Sequence, residues 1–171
     1  LGVAFDPSGG TFRHEAYPQY KAQREETPEA IRLAVPYIKE ILEAYRIPLL
    51  EVKGFEADDV IGTLARQADE RGIDTVMMTP DKDYGQLVTD RIHMLKPASG
   101  KNEAVLMGPA EVNAKWGLQN PSQVVDILAL MGDASDNIPG CPGVGEKTAT
   151  RLIQEYGSVE KLLSSVQTLK G

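Results

Sequence analysis

The chain has 171 residues, 42% of them hydrophobic, and its 25 acidic residues against 18 Lys and Arg give a formal net charge of −7. This is the size of one domain, or one domain with an appendage, with enough apolar content for a core. It excludes a protein whose affinity for phosphates comes from an overall basic footprint, and the single cysteine, Cys141, excludes an intramolecular disulfide and a cysteine-rich zinc site.

Cys141 reads as a small apolar filler. No run of about eighteen apolar residues is present, and neither a signal peptide nor a lipidation motif is visible, so a cytoplasmic location without membrane contact is expected. Leu1 to Phe5 reads as a buried strand with no lead-in, closed by the turn-rich Asp6-Pro7-Ser8-Gly9-Gly10, which leaves Asp6 at a strand's carboxyl end. From Thr11 to Glu26, Phe12, Tyr17 and Tyr20 are interleaved with Arg13, His14, Lys21 and Arg24 without a clear apolar period. The segment reads as mobile and partly helical. Lys21 and Arg24 suit phosphate contacts and Tyr17 or Tyr20 suits stacking on an unpaired base, although two aromatics on one helix face also suit packing.

Thr27-Pro28-Glu29 is a helix start, with Thr27 as the hydroxyl cap. Ile31, Ala34, Val35, Ile38, Ile41, Leu42 and Tyr45 then recur at helical spacing, predicting a core-facing stripe, and Pro36 predicts a kink or a division. Pro48 to Val52 reads as a strand. The next amphipathic helix runs from Ala57 to near Gly72, and Ile73 to Thr79 is the next buried strand. Arg91 to Leu95 is a further strand and Pro97 to Asn102 a loop. Helices follow from Pro109 and from Pro121 to about Met131; a glycine-rich turn, Gly140 to Gly145, feeds a helix through Tyr156, and a short helix follows Ser158. Strands alternating with helices, then helices alone, predict an α/β fold with a parallel sheet flanked by helices, followed by a helical subregion.

Ligands of open parallel sheets gather outside the carboxyl ends of the strands. Asp6 follows the first strand, Glu56, Asp58 and Asp59 the second, Asp81 and Asp83 the third, while Asp133 and Asp136 lie in the loop after the Val124 to Met131 helix. Taken singly, these are first-turn helix acids, a solvated turn and a polar loop. Taken together, with no comparable set of nearby bases to neutralise them, they repel one another unless cations intervene. Oxygen ligands without histidine or thiol favour Mg²⁺ or Mn²⁺ over zinc, and two such ions about 4 Å apart can hydrolyse a phosphodiester without a general base from the protein. Of the two histidines, His93 reads as structural and His14 belongs to the basic segment.

Gly140-Cys141-Pro142-Gly143-Val144-Gly145-Glu146-Lys147-Thr148 fails the spacing of a nucleotide-binding P-loop, because Glu146 separates Gly145 from Lys147. A tight hairpin between two helices remains, either an ordinary turn or a sequence-blind grip on a DNA backbone through amides, Lys147 and Thr148.

Phe5-Asp6, Thr11-Phe12-Arg13-His14-Glu15 with Tyr20-Lys21, Glu56-Ala57-Asp58-Asp59, Asp81-Lys82-Asp83 with Gln86-Leu87, Gly132-Asp133 with Ser135-Asp136-Asn137, and the Gly140 to Ala149 run together resemble the 5′ nuclease domain of bacterial DNA polymerase I, a 5′-3′ exonuclease and flap-endonuclease-like family. The motifs occur in the family's order along nearly the whole chain. The resemblance implies a PIN-like nuclease body over residues 1–131, with an arch-like segment at about 11–26, and an acidic loop plus helix-three-turn-helix subregion over 132–171. It implies that Asp6, Glu56, Asp58, Asp59, Asp81, Asp83, Asp133 and Asp136 form a two-metal site, with Lys21, Arg24, Asp81 and Asp133 as catalytic residues. Arg13, Tyr17, Lys21 and Arg24 would meet the free 5′ strand. Gly143, Gly145, Lys147 and Thr148 would hold duplex DNA, with K⁺ at the hairpin.

The implied activity is structure-specific 5′-3′ exonuclease and 5′-flap endonuclease action in DNA replication and repair, removing RNA primers and flaps. The implied partners are flapped, nicked or branched duplexes and RNA primer–DNA hybrids, met by a bacterial, nucleoid-associated monomer joined to polymerase domains. Another strand bearing a metal-ligand aspartate is expected before Leu1. Two other readings stand beside this one: a branched-DNA-binding fragment with an incomplete metal site that does not cleave, and a PIN-like ribonuclease.

Overall fold

The computed structural model describes residues 1–168, so the end of the expected 132–171 subregion lies outside the described residues. Two compact units emerge among the described residues, one made of residues 1–63 with 135–137, the other of 64–134 with 138–168.

In the first unit, β1 (Val3–Ala4) pairs in parallel with β2 (Leu49–Leu50), Val3 opposite Leu49. Between them come α1 (Phe12–Ala16), a run of turns through residue 23 and α2 (Glu29–Ala44). Thr11 opens α1, its backbone N–H donating to His14 Nδ1 at 3.2 Å, so His14 caps the segment. The segment 11–26 is partly helical, as expected, and its Thr11 and Tyr20 are buried. The fold departs from expectation at α2. Pro28 rather than Thr27 is its cap, with no side-chain cap bond, and the helix runs unbroken through Pro36. Pro36 cannot donate to the Arg32 carbonyl, but both residues are exposed, so water can take up that group. The expected core stripe is not buried. Ile31, Ile38, Ile41 and Tyr45 remain 44–76% exposed, because among the described residues of its own unit little more than the two-residue strand β2 packs on the helix.

α3 (Ala57–Glu70) begins in the first unit and ends in the second. The second unit holds a three-stranded sheet in which β3 (Thr75–Met78) runs parallel to β4 (Ile92–Lys96), and β4 antiparallel to β5 (Val105–Met107), a strand the sequence did not signal. Its three residues are too few to show a period of two. Alternation puts Met77, Ile92, Met94 and Met107 on the buried face. α4 (Pro109–Trp116) and α5 (Val124–Met131) contribute Val112, Trp116, Val124 and Ile127 to the core, and α6 (Glu146–Tyr156) and α7 (Val159–Ser164) add Ala149, Ile153 and Leu162.

α5 runs into a small hairpin of β6 (Gly132–Asp133) and β7 (Ile138–Pro139). Asp133 therefore stands in a strand, not in the loop assigned to it. The two backbones cross closely: a β-carbon on Gly140 would lie 2.3 Å from the Met131 carbonyl carbon, so only glycine fits. Cys141 follows it, exposed at the surface rather than filling a core gap, because its amide is spent on the Leu130 carbonyl at 2.8 Å and the chain turns outward.

Candidate metal-dependent nuclease site

The acids of the first unit gather at the start of α3. Asp6 Oδ1 accepts the Ala57 N–H at 2.7 Å and Asp59 Oδ2 accepts the Glu56 N–H at 2.9 Å, so two of the four orphan donors of the first turn are satisfied by carboxylates. Asp58 is exposed on the same turn. Glu56 is 6% exposed, and a buried carboxylate needs partners. It finds them in the basic segment: Tyr20 Oη donates to Glu56 Oε2 at 2.9 Å and Lys21 Nζ to Glu56 Oε1 at 2.9 Å, with Arg13 Nη1 at 3.9 Å.

Arg13 grips Asp59 bidentately, both bonds at 2.7 Å. Those hydrogen bonds hold the Asp59 carboxyl below the usual carboxylate range and Arg13 firmly protonated. Asp136 joins the same cluster. Its carboxylate accepts from Tyr20 Oη at 3.0 Å, pairs with Arg24, and lies 3.9 Å from Lys21 Nζ. Its turn is fixed by backbone: Lys21 N–H donates to the Asp136 carbonyl at 2.9 Å, and Asn137 Nδ2 to the Gln19 carbonyl at 2.7 Å, with Lys21 and Asn137 both left-handed. Burial, then the hydrogen bonds to Glu56 and Asp136, push the Tyr20 phenol well above its ordinary value, so it stays a donor.

In the second unit Asp81 caps the six-residue 3₁₀ segment Lys82–Leu87, its Oδ1 accepting the Asp83 N–H at 2.9 Å. Lys82 Nζ then stands between two carboxylates, 2.7 Å from Asp133 Oδ2 and 3.3 Å from Asp83 Oδ1. Asp83 Oδ1 is buried and accepts no hydrogen bond from any described residue. Burial, then the Asp81 charge, raises the Asp83 pKa. Burial alone would lower that of Lys82, but the Asp133 hydrogen bond and the Asp83 and Asp133 charges outweigh it and the net shift is upward.

The structure corrects one premise. The acids do have neutralising bases, namely Arg13, Lys21, Arg24 and Lys82. Three of these come from the 11–26 segment, and their acids lie 35 to 112 residues away, a distance over which no sequence pattern pairs them. Tyr20 likewise serves as a buried hydroxyl donor rather than a stacking platform, a role that aromatic-basic interleaving does not distinguish.

As placed, no three His, Cys, Asp or Glu side chains among the described residues stand close enough together to hold a metal ion. The donor chemistry nonetheless fits a hard divalent cation: the acids offer only oxygen, the buried Asp83 Oδ1 has no well-aligned hydrogen bond among the described residues, and two ammonium groups already occupy places between carboxylate pairs.

Gly145 caps α6, whose first turn carries Lys147, exposed, and Thr148, half-buried, after Gly143 at φ +77°. A hairpin of this kind presents backbone amides at a helix start.

Residues 1–117 match the family model described as "5′-3′ exonuclease, N-terminal resolvase-like domain", and residues 119–171 match "5′-3′ exonuclease, C-terminal SAM fold". The chain belongs to the 5′-3′ exonuclease family. It is 44% identical over 169 residues to DNA polymerase I of Bacillus caldotenax, covering 99% of this chain and 19% of that protein. It is 46% identical over 168 residues to the thermostable DNA polymerase I of Thermus aquaticus, covering 98% of this chain and 20% of that one. The chain thus spans about a fifth of the length of these relatives. Among solved structures, T5 5′-exonuclease with bound divalent zinc superposes with a TM-score of 0.80 at 25% identity, over 99% of this chain and 64% of that one. Membership of this family bears out the expected α/β body followed by a helical subregion.

Proposed function

We propose that the chain is the body of a structure-specific 5′ nuclease, acting as a 5′-3′ exonuclease and 5′-flap endonuclease in DNA replication and repair, and that it removes RNA primers and displaced flaps by divalent-metal-assisted hydrolysis. The observation that carries the reading is the pairing of carboxylates around cations: Glu56 and Asp136 at Lys21, Asp83 and Asp133 at Lys82, in a chain of this family.

Asp6, Glu56, Asp58, Asp59 and Asp136 of the first unit, and Asp81, Asp83 and Asp133 of the second, would hold Mg²⁺ or Mn²⁺. Bound divalent ions supply Lewis-acid stabilisation of the phosphate and a water of lowered pKa. The chain's own groups do the rest. Tyr20 and Arg13 orient Glu56, Asp136 and Asp59 by fixed hydrogen bonds. Lys21 and Arg24, drawn off their carboxylates, donate to the scissile phosphate, where charge-assisted bonds strengthen as negative charge builds. Arg13 and Tyr17 contact the free 5′ strand. Gly143, Gly145, Lys147 and Thr148, with K⁺ at the hairpin, hold the duplex backbone without reading bases. On this reading residues 1–131 are the nuclease body and 132–171 the duplex grip, and the protein works as a cytoplasmic monomer on flapped or nicked DNA.

Asp133→Asn tests the reading. It is expected to lower the single-turnover cleavage rate of a labelled 5′-flap duplex by at least about 100-fold while changing flap affinity by less than about threefold. Equal loss of cleavage and binding counts against a metal-ligand role. Binding that survives replacement of the duplex by single-stranded RNA points instead to a ribonuclease.

A further inference from the structure

Lys82 marks a carboxylate pair, but its own task is unassigned, and its position is unusual for a turn lysine. The Asp81 cap fixes the 3₁₀ turn, and the ammonium reaches back between Asp83 and Asp133, which is 51 residues away. Its side chain is about one-third exposed while that of Asp133 is 13% exposed, so the charge is spent on a largely desolvated carboxylate instead of being left in water. Asp83 Oδ1, buried and with no well-aligned hydrogen bond among the described residues, has the same ammonium as its neighbour at 3.3 Å. Removing that cation would take away the positive charge that faces both Asp83 and Asp133, leaving their mutual repulsion and that of Asp81 less screened.

We propose that Lys82 is a resident counter-cation of the Asp83 and Asp133 carboxylates, holding the place of a divalent ion and setting how tightly that ion binds. The inference rests on the proposal that these acids are metal ligands. An incoming divalent ion would have to displace the ammonium from both carboxylates, and that cost is subtracted from its affinity. The flexible four-carbon stem and the exposed third of the side chain give the ammonium a route out to solvent. Lys82 is then a positioning residue, keeping the acids in place before the metal arrives.

Isothermal titration of the chain with Mn²⁺, without DNA, tests this in the wild type and in Lys82→Met, Lys82→Arg and Asp133→Asn. Lys82→Met is expected to bind Mn²⁺ about tenfold more tightly than the wild type, and Lys82→Arg to stay near it. In chelator, Lys82→Met should melt at a lower temperature, with the gap closing at saturating Mn²⁺; if it is unfolded in chelator, recovery of a cooperative melt on adding Mn²⁺ supports the same conclusion. Mn²⁺ binding that Asp133→Asn abolishes but Lys82→Met leaves unchanged or weakens overturns the role of Lys82 alone. No Mn²⁺ binding by the wild type or any variant overturns the metal-ligand reading, and the inference with it.

Discussion

Glu56 shows what a buried carboxylate demands of its neighbours. With Tyr20 Oη and Lys21 Nζ each at 2.9 Å, it is held by one neutral and one charged donor, and the same phenol also serves Asp136. Tyr20→Phe removes both phenol bonds without changing the ring, and is expected to cost about 1–3 kcal/mol of unfolding free energy in chelator, read from the urea midpoint. An unchanged midpoint would mean that water replaces the hydroxyl. Asp59 offers a pH test. Arg13 lowers its folded pKa, so the pair contributes stability that is fully present above the unfolded aspartate value of about 3.9 and is lost as pH falls through the lowered folded value. Arg13→Gln should flatten this acid limb in urea unfolding series between about pH 2 and pH 6, lowering stability at the upper end while leaving it little changed at the lower. A superimposable limb would show that the pair does not govern it. The eight candidate acids could be read from their places at strand and helix ends; their partners could not, because nothing local ties Arg13 to Asp59 or Tyr20 to Asp136.

Elements with strong local signals came through with small shifts in their ends. The Ala57–Glu70 and Glu146–Tyr156 helices have sharp amphipathic periods, and β3 is bounded by turn residues on both sides. Where the competing signal was a single residue, division of the element did not follow: Pro36 does not split α2, since an exposed helix tolerates one missing bond. The β6–β7 hairpin was hidden for the opposite reason. Its strands are two residues each, and what defines it is the close approach of Gly132 and Gly140, which has no periodic signature. Gly140→Ala should therefore lower stability by about 3 kcal/mol or more, since backbone rather than a movable side chain stands in the way. Gly143→Ala, at φ +77° but in open space, should cost only about 1 kcal/mol. Equal midpoints in denaturant for the two variants would refute the crossing as the constraint.

At the scale of the molecule, a chain of net charge −7 that belongs to the 5′-3′ exonuclease family and is proposed to grip DNA has to place its positive charge locally. It does so in the 11–26 segment and at Lys82, where the bases are bound to the acids they neutralise. Divalent ions that take over those acids would free the bases for phosphate. The melting temperature should then rise with Mn²⁺ as mass action requires, by a stabilisation of about 2.7 kcal/mol at a hundredfold excess over the dissociation constant. The salt dependence of flap binding should be steeper with Mn²⁺ than in chelator, because more phosphates are then neutralised by freed Lys and Arg. Metal-dependent cleavage is read directly by incubating the chain with a 5′-labelled flap duplex in Mg²⁺ or Mn²⁺ beside a chelator control. A cut at the branch that requires the metal is expected; a cut that persists in chelator, or none with either metal present, would rule out a metal-dependent 5′ nuclease.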